Sequence, residues 1–254
     1  MVAALLDLRR ENRAAFETLR AQLKRTGVRV TELDKELNQA DDRPKHKEPS
    51  PADILAQLAD GASLFHGRDG RGYADIIVDG HRETWQVRSK GFRQWLTREY
   101  YEATGGAAGS EATQSALNLV DARAQIEGPE LDVAVRVAAY EGRVYLDLCD
   151  QDWQAVEIDA TGWRVVSAPP VRFRRTSGMK PLPMPEPGGS IEALREFVNV
   201  KAERDFVLAI AWALAALNPR GPYPLLAVAG EQGAAKSTFC ALVRSILDPN
   251  TSPL

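Results

Sequence analysis

Cysteine is almost missing from the 254 residues: Cys149 and Cys240 are the two that occur, and neither has a CxxC or other metal-ligand spacing. That excludes a disulfide framework and fits a reduced, cytoplasmic location. Histidine is scarce as well, and His46, His66 and His81 are too scattered to read as a metal set. No excess of one charge exists. The net charge of −3 gives no global electrostatic case for nucleic-acid binding, so any such partner must be argued from local patches. A long apolar run is missing too: the most apolar stretch, FVLAIAWALAAL at 206 to 217, falls well short of the roughly 20 residues that span a bilayer. It reads as a buried helix, with no membrane partner. The opening MVAALLDLRRENR mixes acid and base early and offers no small-residue cleavage site, so no secretory signal is expected.

What is present is an ordinary globular balance, 44% hydrophobic and 26% charged. Leu5, Leu8, Phe16, Leu19 and Leu23 recur at helical spacing, which predicts an amphipathic helix over 2 to 25, stopped by Gly27. A second helix is expected from Thr31, a good N-cap, through Leu33 and Leu37. These make a helical segment over 1 to 39 that packs on a neighbouring module or a partner chain. The proline-bearing polar stretch ADDRPKHKEPSPA predicts a linker over 40 to 50.

An α+β domain is expected over 51 to 175. A helix on PADILAQLA leads to strands YADIIV and RETWQVR, joined by Asp79-Gly80, a dipeptide suited to a tight hairpin. KGFRQWLTREYYEAT sets Phe92, Trp95, Leu96 and Tyr100 on one helical face, and GGAAG ends it. Ser110 is placed to cap a further helix. From 131 to 175 apolar and polar residues alternate, with turn signals at Glu141-Gly142, Asp150 to Asp152 and Thr161-Gly162. This is a β-meander. Val133, Val135 and Val137 are expected to share one face, and Val144, Leu146 and Leu148 another. PLPMPEPGGS predicts a Pro/Gly linker over 176 to 189. The fold class is therefore α/β and α+β mixed, with 190 to 254 forming a second domain that begins helix, strand, loop, helix.

The strand and loop of that last segment carry the chemistry. A phosphate-binding loop needs a buried strand, a glycine-rich turn, a lysine, a hydroxyl residue and a helix in that order. PLLAVA supplies the strand; Gly230, Glu231, Gln232, Gly233, Ala234 and Ala235 supply the turn; Lys236, Ser237 and Thr238 open the helix. The glycines let successive N–H groups point inward as an anion nest, and the helix start adds its unpaired amides. Lys236 would reach the β- and γ-phosphates of ATP, Ser237 would hold Mg²⁺, and Thr238 would touch the α-phosphate. Against G-x-x-x-x-G-K-[ST], Ala235 replaces the second glycine, which is tolerable if its φ is negative. The helix that follows carries Phe239, Leu242, Val243 and Ile246 in an apolar pattern.

GEQGAAKSTFCALVRSILDPNTSPL, preceded by FVLAIAWALAALNPRGPYPLLAV, resembles the ATPase segment of phage- and plasmid-type replication proteins, the primase–helicase-like P-loop ATPases of mobile elements. In that family an alanine before the lysine is usual. VYLDLCDQDWQAVEI with GWRVV and PPVRFRR is similar to the domain preceding the ATPase, and GVRVTELDKEL looks like the connector after a primase module. The resemblance implies ATP and Mg²⁺ as cofactors, a helicase-like activity in DNA replication, and a homo-oligomeric ring. It also implies a Walker B strand, sensor residues and an arginine finger beyond the loop. The sequence stops at Leu254, so a truncated product or fragment is expected. Asp147, in the meander, is the one acid after an apolar run that offers itself as a magnesium partner.

VRFRRTSGMK groups Arg172, Arg174, Arg175 and Lys180 without an acid and interleaves Phe173. That pattern suits an edge strand protected by charge, or else a nucleic-acid backbone with a stacked base. The other reading of the whole chain is a non-enzymatic DNA- or protein-binding adaptor in which 51 to 175 act and the loop is vestigial.

Overall fold

The computed structural model describes residues 2–40 and 49–252 and divides the chain into two compact units, Met1–Glu48 and Pro49–Leu254. Most of the linker expected over 40 to 50, with His46, lies outside the described residues. The first unit holds three helices, α1 (Val2–Glu11), α2 (Arg13–Arg25) and α3 (Val30–Ala40). The single helix expected over 2 to 25 is thus two. Asn12 breaks it, leaving the helical region at φ −146° and accepting a hydrogen bond from the Ala15 amide at 3.1 Å. Likewise α3 starts at Val30, so Thr31 lies inside the helix and does not cap it. Leu6, Phe16 and Leu37 form the buried centre of this unit.

In the second unit α4 (Pro51–Leu58) begins with a reciprocal cap. The Asp53 amide donates to Ser50 Oγ at 3.3 Å and the Ser50 amide to Asp53 Oδ2 at 2.9 Å. Three antiparallel strands follow in spatial order: β1 (Ser63–His66), β2 (Gly72–Val78) and β3 (His81–Gln86). The β2–β3 turn uses Asp79 and Gly80 at φ 47° and 84°, the left-handed pair a two-residue hairpin requires. β1 was not foreseen from the sequence. Behind this sheet pack α5 (Lys90–Thr104) and α6 (Ser110–Ile126). Leu55, Ile76, Val87, Phe92, Leu96 and Val120 make the largest core. Gly109 occupies the N-cap of α6, so Ser110 is the first helical residue instead of the cap.

The meander is a four-stranded antiparallel sheet, β5 (Val137–Tyr140), β6 (Arg143–Asp147), β7 (Ala155–Asp159) and β8 (Gly162–Val166). Val133 is not part of it. A separate short strand β4 (Val133–Ala134) runs parallel to β9 (Arg172–Phe173). The chain breaks between β4 and β5 because Arg136 turns inward and is buried. On β6 the fully buried side chains are Tyr145 and Asp147, while Val144 and Leu146, on the other face together as expected, are half-buried.

After a 3₁₀ turn at Ile191–Glu196 come α7 (Glu203–Ala216) and α8 (Lys236–Ser245). α7 buries Phe206 and Ala209 but leaves Val207, Leu208 and Leu214 more than half exposed, so the expectation of an all-round buried helix is corrected. The residues expected as a strand, 224 to 229, are in no sheet, and Leu225 is 97% exposed. A strand is made by its partners, and no described segment lies alongside to pair with it. Residues 178 to 180, expected as linker, are tied down: Lys180 N–H donates to Pro249 O at 2.9 Å and Thr251 N–H to Gly178 O at 2.9 Å. The chain is thus of mixed α and β structure with antiparallel sheets. Among the described residues no helix is long and apolar enough to cross a membrane.

Candidate nucleotide-binding loop

The segment leading to the loop is anchored by Trp212, whose indole N–H donates to Pro224 O at 2.9 Å. The chain then curls. The Ala234 amide donates back to Glu231 O at 3.3 Å, and Gly233 adopts φ 84°, a left-handed value that costs glycine little. Ala235 follows at φ 57° and ψ 31°. The expectation of a negative φ there is overturned. A left-handed alanine costs about 1 to 2 kcal/mol relative to the right-handed form, so the turn holds Ala235 in place against its own preference.

Lys236 is the first residue of α8. Its ammonium folds back over the loop and donates to Gly230 O at 3.0 Å and Glu231 O at 2.8 Å, joining the two ends of the turn. The N-cap position is Ala235, which has no side-chain oxygen, and no side chain caps the helix. Among the described residues, nothing accepts from the amides of Lys236, Ser237 and Thr238. Phe239 is the first to close a helical bond, to Ala235 O at 2.9 Å. The site thus gathers one ammonium group, an uncapped positive helix end and the exposed Ser237 and Thr238 hydroxyls. A polyanion of about phosphate size fits that chemistry. Ser237 offers one hard oxygen to a magnesium ion, which ordinarily completes its octahedron with phosphate oxygens and water.

A cavity of about 370 Å³ opens beside the loop. It is lined by Ala234, Lys236 and Phe239 of the loop and α8, by the segment 226 to 229, and by α7 with the residues just before it. Sequence reasoning did not connect the region near residue 200 to the loop. It has no motif of its own, and the fold alone brings it there.

The basic stretch has a different fate. Arg172 Nε donates to Asp75 Oδ2 at 2.7 Å, and its guanidinium lies 5.1 Å from the Phe65 ring centre. Arg175 donates to Asp147 Oδ1 at 2.8 Å and sits over Trp153 at 4.0 Å. The Arg174 amide extends the β4–β9 ladder to Ala134 O at 2.8 Å. Phe173 is 4% exposed, packed with Ala138, Tyr145 and Ala155. A buried ring cannot stack on a base, so Phe173 does not play the stacking part expected of it, and Arg172 and Arg175 are engaged in ion pairs. These residues knit β9 to its neighbours. Asp147 is equally committed: 1% exposed, it accepts from Arg175 and from the Cys149 amide at 3.0 Å, which removes it as a magnesium partner. Among the described residues, no group of three or more His, Cys, Asp and Glu side chains is placed to hold a metal. No family model, no curated protein and no solved structure matches the chain.

Proposed function

We propose that residues Gly230 to Thr238 bind the polyphosphate of ATP together with Mg²⁺, and that the chain serves a helicase-like ATPase acting in DNA replication of a phage or other mobile element. One observation carries the proposal: the Lys236 ammonium reaches back across the turn to Gly230 O and Glu231 O, beside three amides that have no acceptor among the described residues. Carbonyl oxygens are weak partners for an ammonium compared with phosphate oxygens, so an arriving polyphosphate takes Lys236 over. Gly230 and Gly233 keep side chains out of the cradle, Ser237 adds its hydroxyl to the metal, and Thr238 lies one residue further into the helix. The DNA role and a ring assembly rest on the sequence resemblance alone.

The test is calorimetric titration of the chain with Mg·ATP. Lys236→Ala removes a charge-assisted contact of about 2 kcal/mol, roughly thirtyfold in Kd. Equal affinity of the two proteins refutes the assignment. The adaptor reading draws on a separate observation: among the described residues the segment 224 to 229 pairs with no strand, and Leu225 is 97% exposed. On that reading the chain shifts DNA at low salt, where phosphate contacts are strongest, and ignores ATP.

A further inference from the structure

We infer that the cavity beside the loop receives the base and ribose of the bound nucleotide, with Asn199 selecting adenine; this rests on the reading of residues 230 to 238 as the polyphosphate cradle. The cavity measures about 370 Å³, within the range of roughly 300 to 1,000 Å³ that small-molecule sites occupy. Ala234 and Lys236 belong both to the loop and to the cavity lining. A ligand whose phosphates rest on the loop therefore has this space within reach of its remaining atoms. Val200, Leu208 and Phe239 give it apolar walls suited to the faces of a planar base.

Three polar side chains interrupt those walls: Asn199, Lys201 and Asp205. All three residues are exposed, and none has a side-chain partner among the described residues. An apolar slot with a few unengaged polar groups is the usual form of a ligand site. The Asn199 amide presents a donor and an acceptor side by side. That pair complements the N6 amino group and N7 of adenine, whereas the corresponding edge of guanine carries two acceptors. The Asp205 carboxylate is acceptor-only and suits the ribose hydroxyls. Lys201 adds a second cation on the cavity side of the phosphates.

The experiment titrates the full chain with Mg·ATP, Mg·GTP and inorganic tripolyphosphate, with circular dichroism to confirm that each variant folds. The unmodified chain is expected to bind ATP about tenfold more tightly than GTP. Asn199→Leu brings ATP down to the GTP level while tripolyphosphate affinity stays constant; Lys236→Ala weakens all three ligands. Should Asn199→Leu fail to fold, the nearly isosteric Asn199→Asp, which cannot donate to N7, must also lose the adenine preference. An ATP-to-GTP ratio unchanged in the folded Asn199 variant, with Lys236→Ala still damaging, overturns the inference and leaves the loop reading standing. Absence of binding by all three ligands overturns both.

Discussion

Arg136 and Asp248 lie 112 positions apart, and the guanidinium of one donates to Oδ1 of the other at 3.2 Å. The same guanidinium donates to Asp147 O at 3.1 Å and to Lys180 O at 3.0 Å. One buried side chain thus ties the end of β6, the connector near residue 180 and the residues just beyond α8. Asp248 is shared with Arg244 at 3.2 Å, so the carboxylate closes the end of the helix that begins with Lys236. Arg136→Leu strands two carbonyls and a half-buried carboxylate. A loss of about 3 kcal/mol is expected, at the low end for breaking a buried ion pair because Asp248 keeps some contact with water. Asp248→Asn retains an acceptor and costs about 1 kcal/mol. Urea denaturation midpoints check both, and an Arg136→Leu midpoint equal to that of the unmodified chain would show that the guanidinium holds nothing together.

Ala235 is held at φ 57°. Glycine takes up that conformation freely but adds backbone freedom to the unfolded chain, about 0.4 to 1 kcal/mol. The left-handed penalty on alanine is about 1 to 2 kcal/mol, so Ala235→Gly is neutral to stabilising. Ala235→Val, with a β-branch at positive φ, destabilises the turn and weakens Mg·ATP binding. A Val variant that binds as well as the Gly variant would mean that the turn relaxes in solution to a negative φ.

Much of the fold was legible because its signals are local. α5 carries a Ser89 side chain accepting from the Phe92 amide, aromatics at helical spacing, and Gly105 left-handed at its end, so its limits could be read directly. Asp79-Gly80 announced its hairpin for the same reason. The misses are non-local. The apolar alternation runs through Val133 to Val137, and only partners 11, 44 and 112 residues away pull Arg136 inward and split the strand. β1 spans four residues and exists through its pairing with β2. At the loop, the residue order predicts the turn and Lys236, but an alanine in left-handed conformation goes against its own propensity, so the motif glycine it replaces is the one sign of that φ in the sequence. The buried Phe173 reads like an exposed aromatic, since its neighbours are all arginine.

Gly91, in the first turn of α5, is decided by close approach. A Cβ there would lie 2.4 Å from Cε3 and Cζ3 of Trp85. On an open helix surface Gly→Ala stabilises by about 1 kcal/mol. Trp85 cannot yield, because its indole N–H donates to Glu83 Oε2 at 2.6 Å and its ring meets Trp153 edge-on at 5.4 Å. Overpacking of this kind costs about 1 to 3 kcal/mol, which reverses the sign. Gly91→Ala is therefore expected to lower the melting temperature, while Gly106→Ala, where the nearest foreign atom is 3.9 Å away, does not. A stabilised Gly91→Ala protein would refute the packing of Trp85 on α5.

Cys149 is half-buried, and burial pushes its thiol pKa up; Arg175 and Arg136 pull it back in part, while Asp147 and Asp150 push it further up. Folding therefore favours the neutral thiol. The stability this contributes is fully present below the pKa of the unfolded chain, about 8.5 for a free cysteine, and is lost as pH rises through the higher folded value. Alkylation needs the thiolate. In a Cys240→Ser background the rate of iodoacetamide modification is expected to be slower than that of free cysteine at pH 8, with its midpoint above the ordinary range. Arg175→Met removes the cation that pulls the thiol down most and shifts that midpoint further up. It also leaves Asp147 without its guanidinium partner, so the comparison must be made well below the denaturation midpoint of the variant. A midpoint at or below the free-cysteine value would place Cys149 in water and contradict the packing of the β6–β7 connection against Arg175.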